Sequence, residues 1–195
     1  MNSRFSDRPQ KQIFQVHPLN LEDGMIGRNA MDAFSDALLS RDTGRIPEGR
    51  DWFAPLLGDW DCDYFDVLDG AERRVKGEWM FRRVLDGAGI QDVFIFPSRA
   101  TRETSPQPDA EYGSSLRMYN AAEDCYDVCY ACDRCMVRLR FTREGGSLVG
   151  RNLDCPGNFW IFSELTGGSF LWENVTAGED GTRTLVCRIS GRRIR

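Results

Sequence analysis

Two groups of residues in this chain have the types and spacing that chemistry needs. The first is a carboxylate and a guanidinium, Asp92 and Arg117. Asp92 alternates with Ile90, Phe94 and Phe96, and Arg117 alternates with Ser115 and Tyr119. On a strand, residues two apart share a face, so both charges fall on faces carrying large apolar or aromatic side chains. A carboxylate in such a place needs a partner, or its pKa rises. If both point inward, they form a polar pair able to hold a ligand's carbonyl or hydroxyl. They could equally run acid–base chemistry, with Tyr119 as a further proton carrier. The plainer reading is an ion pair that fixes register, or an Asp that faces water. Glu78 and Arg83 carry the same ambiguity more weakly.

The second group is sulfur. Cys125, Cys129, Cys132 and Cys135 crowd one segment, with Cys155 as a possible fourth partner to Cys129-x-x-Cys132-x-x-Cys135. Short thiol spacings are those of zinc and iron–sulfur ligands. No second Cys or His knuckle follows at zinc spacing, and the run crosses a hairpin whose turn is Asp133-Arg134. A redox Cys-x-x-Cys ordinarily opens a helix, where the dipole lowers the thiol pKa. The expectation is therefore buried or half-buried strand thiols and no metal. Seven cysteines, an odd number, also argue against a complete disulfide framework.

Other chemistries are excluded by what the chain lacks. His17 is the sole histidine and lies in an N-terminal arm. A Ser-His-Asp or Cys-His relay, a His metal centre or His-ligated haem is not expected. The glycines sit in short turns and not between a strand and a helix, so no phosphate-cradling loop is present. No cofactor is expected.

The elements that must position these residues are strands. Trp60, Cys62 and Tyr64 share one face of the first, and Asp59, Asp61 and Asp63 the other. Three carboxylates on one face require water there. Turn signals then separate Glu72–Leu85, Gly89–Phe96, Tyr112–Tyr119, Cys125–Tyr130, Met136–Thr142, Leu148–Leu153, Asn158–Leu165, Phe170–Val175 and Thr184–Ile189. About ten antiparallel strands in hairpin succession favour a closed barrel, which leaves no edge exposed. A helix from Asn29 to about Arg41, with Ala30, Met31, Phe34, Ala37 and Leu38 as its apolar stripe, is expected to plug or flank that barrel, or to act as a lid. Residues 97 to about 111 form a long Pro-containing loop that could cover an opening. Residues 1–50 thus read as arm and helix, and 51–195 as the barrel domain.

A net charge of −5 and a pI near 5.0 oppose a nucleic-acid partner. No apolar run spans a bilayer and no secretory signal core is visible, so the expected setting is cytoplasmic, away from membranes. Two barrels could pair as a homodimer.

Gly58-Asp59-Trp60, a Gly-x-Trp on the first strand after a short helical turn, resembles the start of a lipocalin, or more broadly a calycin. Such a Trp closes one barrel end under an Arg of the last strand, for which Arg188 is the expected residue. Three further segments, Gly77–Phe81, Val84–Ile95 and Tyr112–Asn120, resemble a group of bacterial lipocalin-like proteins without assigned function. The resemblance implies the barrel and leaves the activity open, because calycin barrels bind, transport and catalyse.

The inward aromatic set implied by alternation is Tyr64, Trp79, Phe81, Phe94, Phe96, Tyr119, Tyr126, Trp160, Phe162 and Trp172. It makes either a solid core or a pocket for one small apolar or aromatic molecule. The first functional reading is binding of such a molecule. The rival is a cofactor-independent cyclase, isomerase or hydratase with Asp92 or a Tyr as general acid or base. A fully packed interaction module is the third.

Overall fold

The computed structural model describes residues 32–39 and 44–194. A six-residue helix, α1 (Ala33–Leu38), and a 3-10 turn, Ala54–Leu56, precede ten strands. These are β1 (Gly58–Leu68), β2 (Ala71–Val84), β3 (Gly89–Phe96), β4 (Glu111–Asn120) and β5 (Cys125–Ala131). They continue as β6 (Met136–Glu144), β7 (Ser147–Asn152), β8 (Asn158–Ser163), β9 (Ser169–Ala177) and β10 (Arg183–Arg193). Each strand pairs antiparallel with the next, and β10 pairs with β1, so the sheet closes on itself. This is the all-β, closed, up-and-down barrel expected from the hairpin succession.

The alternation on β1 has the expected sense. Trp60 and Cys62 are fully buried. Asp59, Asp61 and Asp63 stay on the outer face among cations from the two neighbouring strands: Arg82 lies 2.5 Å from Asp59, and Lys76 and Arg192 flank Asp61 and Asp63. A carboxylate row is tolerable there because water and paired charges both solvate it.

Neighbouring strands are antiparallel all the way round, so odd-numbered strands run from one barrel end to the other and even-numbered strands run back. The two ends differ. At the end where β1 begins, Phe53 and Leu56 enter the barrel, both with no exposed surface. Phe53 meets Tyr126, Phe141 and Phe162 edge-on at 5.0–6.0 Å. Such pairs add about 0.5–1.5 kcal/mol each beyond the area they bury. Gly191 on β10 lies under the Phe170 ring, where a Cβ would collide with it.

One expectation needs correction here. The guanidinium over Trp60 is that of Arg193, 4.3 Å from the ring, while Arg188 lies over Phe65 on the outer face at 4.6 Å. Strand β10 continues past Gly191, and four residues of extra strand bring a different arginine to the end. Arg193 also donates to the carbonyls of Pro55 (2.7 Å), Gly167 (2.5 Å) and Leu57, and the Trp60 indole donates to Leu56 O at 2.6 Å. The described helix, shorter than expected, is capped by Asp32, which accepts from the Phe34 and Ser35 amides, and none of its residues is buried. Phe34 points to solvent, and the segment is tied to the barrel through Leu38 and Leu39 beside Val84 and Leu85. Asn29, Ala30, Met31 and Arg41 lie outside the described residues. No helix among the described residues is long and apolar enough to cross a membrane.

Candidate functional site

At the opposite end of the barrel the interior is not filled. A cavity of about 360 Å³ opens between the ends of the strands, within the usual span of small-molecule sites, roughly 300–1,000 Å³. Six of the eight aromatic residues expected to bind a ligand line it: Tyr64, Phe94, Phe96, Trp79, Trp160 and Trp172. They form a connected wall. Trp172 meets Trp160 at 5.5 Å and Trp79 at 5.8 Å, both near perpendicular, and Tyr64 lies 4.2 Å from Phe96.

The other two, Phe81 and Tyr126, do not reach the cavity. Both face inward and both are fully buried, but at the closed end. Phe81 comes two residues after Trp79 on β2, which runs away from the opening. Tyr126 comes four before Tyr130 on β5, which runs toward it. Tyr126 instead donates to Arg50 O at 2.9 Å. Tyr119 is likewise placed at that end, half-buried, donating to Asp124 at 2.8 Å and packed against Tyr126.

Asp92 and Arg117 do point inward and do meet. Arg117 Nη2 lies 2.5 Å from Asp92 Oδ2, with almost no side-chain exposure on either residue. Asp92 also accepts from the Ser115 amide at 2.9 Å. The guanidinium lies among the Phe53, Phe81 and Phe162 rings at 5.1–6.0 Å. The pair therefore belongs to the packed half. It does not border the cavity; Ser115, the next inward residue toward the opening, does. A catalytic role for Asp92, Arg117 and Tyr119 needs a substrate in reach, and none of the three lines this cavity.

The sequence reading missed the polar part of the lining. Asn152, Asn158 and Asn174 form a chain across three strands: Asn152 donates to Asn158 at 3.1 Å, and Asn158 donates to Asn174 at 2.6 Å. Opposite them, Tyr130 donates to Glu111; burial first, and then the Glu111 charge, push its phenol well above the usual tyrosine range. Tyr130 lies flat across Gly113, where a Cβ would collide with its ring. Cys187 also lines the cavity; burial pushes its thiol up to about 12, so it is a neutral, poor nucleophile at pH 7. The signal for Tyr130, Asn152 and Asn158 was strand-end position combined with inward parity.

The rim is held by charge. Arg73, largely buried, bridges Asp66 at 2.5 Å and Asp109 at 2.7 Å, while its guanidinium covers Tyr64 and Phe96. Arg134 donates to Ala110 O at 2.7 Å and Asp109 O at 3.1 Å. The long loop after β3 is thereby fastened at its far end, and Asp109 itself borders the opening. Its near end is fastened by Glu78, which pairs with Arg99 on the outside at 2.7 Å. Arg83 pairs with Asp51. Among the described residues, no three Cys, His, Asp or Glu side chains converge as a metal ion requires. His17 lies outside the described residues.

The fold and the site together define a closed ten-strand antiparallel barrel, sealed at one end by a tryptophan under an arginine and hollow at the other. No family model matches the chain, and no curated protein matches it. Among solved structures it is similar to the S-type phycobiliprotein lyase CPES from Guillardia theta, with 9% identity and a TM-score of 0.44, over 74% of this chain and 91% of that one. The barrel assignment rests on the strand ladder and the closed end described above, not on that likeness.

Proposed function

We propose that this barrel binds one small, largely apolar or aromatic molecule in its open half, without covalent chemistry. The observation that carries the reading is the cavity itself, walled by seven aromatic side chains on one closed sheet. An interior evolved only for stability would be filled, because empty space forfeits dispersion contacts and costs about 24 cal/mol per Å³ of cavity.

The test is a fluorescence titration of the full chain with small aromatic probes, 1-anilinonaphthalene-8-sulfonate first, reading probe emission and tryptophan quenching. The expected result is saturation at one site, lost in Val137→Trp, which places a large ring where the cavity now is. Equal binding by the variant, with its circular dichroism unchanged, would put the probe elsewhere and defeat the proposal.

A further inference from the structure

One sulfur pair sits at the edge of the ligand cavity, whose lining includes Cys135. The hairpin between β5 and β6 turns through Cys132-Asp133-Arg134-Cys135. The Cys132 amide donates to Cys135 O at 3.0 Å, so the two residues face each other across the turn. The first and last residues of such a four-residue turn have Cα atoms less than about 7 Å apart, and a disulfide spans about 4.4–6.8 Å. Their Sγ atoms are 3.6 Å apart. A disulfide needs about 2.05 Å, and side-chain rotation at a hairpin tip can supply the difference.

Access and polarity fit a reaction. Cys135 is exposed and Cys132 is half-buried against the core, while Cys62, Cys125 and Cys187 are buried. The two thiols are also unequal. Against the opposing effect of burial, the Arg134 and Cys135 amides, the Cys135 thiol and the Tyr130 hydroxyl hold the Cys132 thiol below its ordinary value. Partial burial and then the bond to Cys132 push Cys135 above its own. This is the asymmetry of an attacking and a resolving thiol, built here from turn amides where a helix terminus more often supplies it.

We infer that Cys132 and Cys135 form a thiol–disulfide exchange pair at the barrel mouth, with a small soluble disulfide as the reaction partner. The Cys132 thiolate attacks one sulfur of the disulfide RS–SR. That S–S bond breaks, RS⁻ leaves and takes up a proton, and Cys132 carries SR as a mixed disulfide. Cys135 then releases its proton to solvent, and its thiolate attacks Cys132 Sγ and expels the second RS⁻. Two protein thiols are oxidised to one disulfide, and RS–SR is reduced to two RSH. Cys135 borders the cavity, but the exchange reaction needs no molecule bound there and its test does not depend on the ligand proposal.

The experiment incubates the reduced full chain with oxidised glutathione, quenches with acid at intervals, and maps cysteine states by mass spectrometry. The expected result is a Cys132–Cys135 disulfide that forms before glutathione accumulates on exposed Cys129 or Cys155. Cys135→Ser should trap glutathione on Cys132 about tenfold faster than on Cys129, as expected of a thiol with more thiolate at neutral pH. Cys132→Ser should lose that fast phase. Equal glutathionylation of all exposed cysteines in the unaltered chain, with no Cys132–Cys135 bond, overturns the inference without requiring any variant to fold. Slow trapping on Cys132 in a folded Cys135→Ser variant overturns it independently.

Discussion

The two ends of this barrel are built from the same strands and differ in how they are filled. At the closed end Phe53, Leu56 and Trp60 occupy the tube, an arginine seals it, and even the charges of Asp92 and Arg117 are enclosed by rings. At the open end a comparable number of aromatic residues stand as walls, the polar groups are asparagines and rim ion pairs, and space is left. The comparison teaches that an apolar inner face does not by itself specify a core. What decides is whether another segment of chain enters the tube, and here the turn at residues 53–56 enters only one end.

Four measurements would sharpen or break that contrast. The largest effect is expected at the enclosed ion pair. Arg117→Leu leaves Asp92 charged among rings and should destabilise the fold by about 3–5 kcal/mol in urea unfolding. Arg117→Met combined with Asp92→Asn, which keeps an acceptor for the Ser115 amide, should recover most of the loss; no recovery would mean the pair itself holds the packed end together.

Phe53→Ala should cost about 3–4 kcal/mol, as for other fully buried rings. Trp160→Ala, at the cavity wall, should cost clearly less, because its ring already borders open space. Equal losses at the two positions would erase the distinction between the ends. Arg193→Ala removes the cation over Trp60 and its bonds to three carbonyls, and about 2 kcal/mol should go with them.

The smallest effect is expected at the rim. Arg73 holds the Asp109 carboxyl below the usual aspartate range, with its bond to the carboxylate as the leading cause. A depressed folded-state pKa contributes stability that is present in full above the unfolded value, about 3.9. That contribution is lost as pH falls through the lower folded value. Because Asp109 is partly exposed, the amount is only about 0.2–1 kcal/mol. Tryptophan emission at the mouth should therefore shift on acidification below pH 4, and less so in Asp109→Asn; an identical acid transition in both proteins would remove Asp109 as the fastener.

Much of this was legible in the residue order, and one coordinate was not. Alternation identified which side chains turn inward, from Trp60 to Trp172, and turn residues located all ten strands within a few positions. Alternation carries no information on depth along the tube. Phe81 and Phe94 have the same parity and the same chemistry, yet one is sealed in and the other lines open space. Strand direction supplies the missing coordinate: inward residues late on odd strands and early on even ones reach the mouth. Applied to the sequence, that rule selects Tyr130, Asn158 and Asn152 and rejects Tyr126 and Tyr119. Arg193 was hidden for a different reason, since Gly191 looks like a stop in the sequence but serves in β10 as the floor beneath Phe170.

The partner of the first strand is the last. A polypeptide shortened ahead of residue 183 would therefore present two raw flanks, β1 and β9, each inviting a stranger's backbone. It would also lack Arg193 over Trp60. Soundness of the tube is thus an all-or-nothing property of the chain: there is no shorter version that is merely a smaller cup.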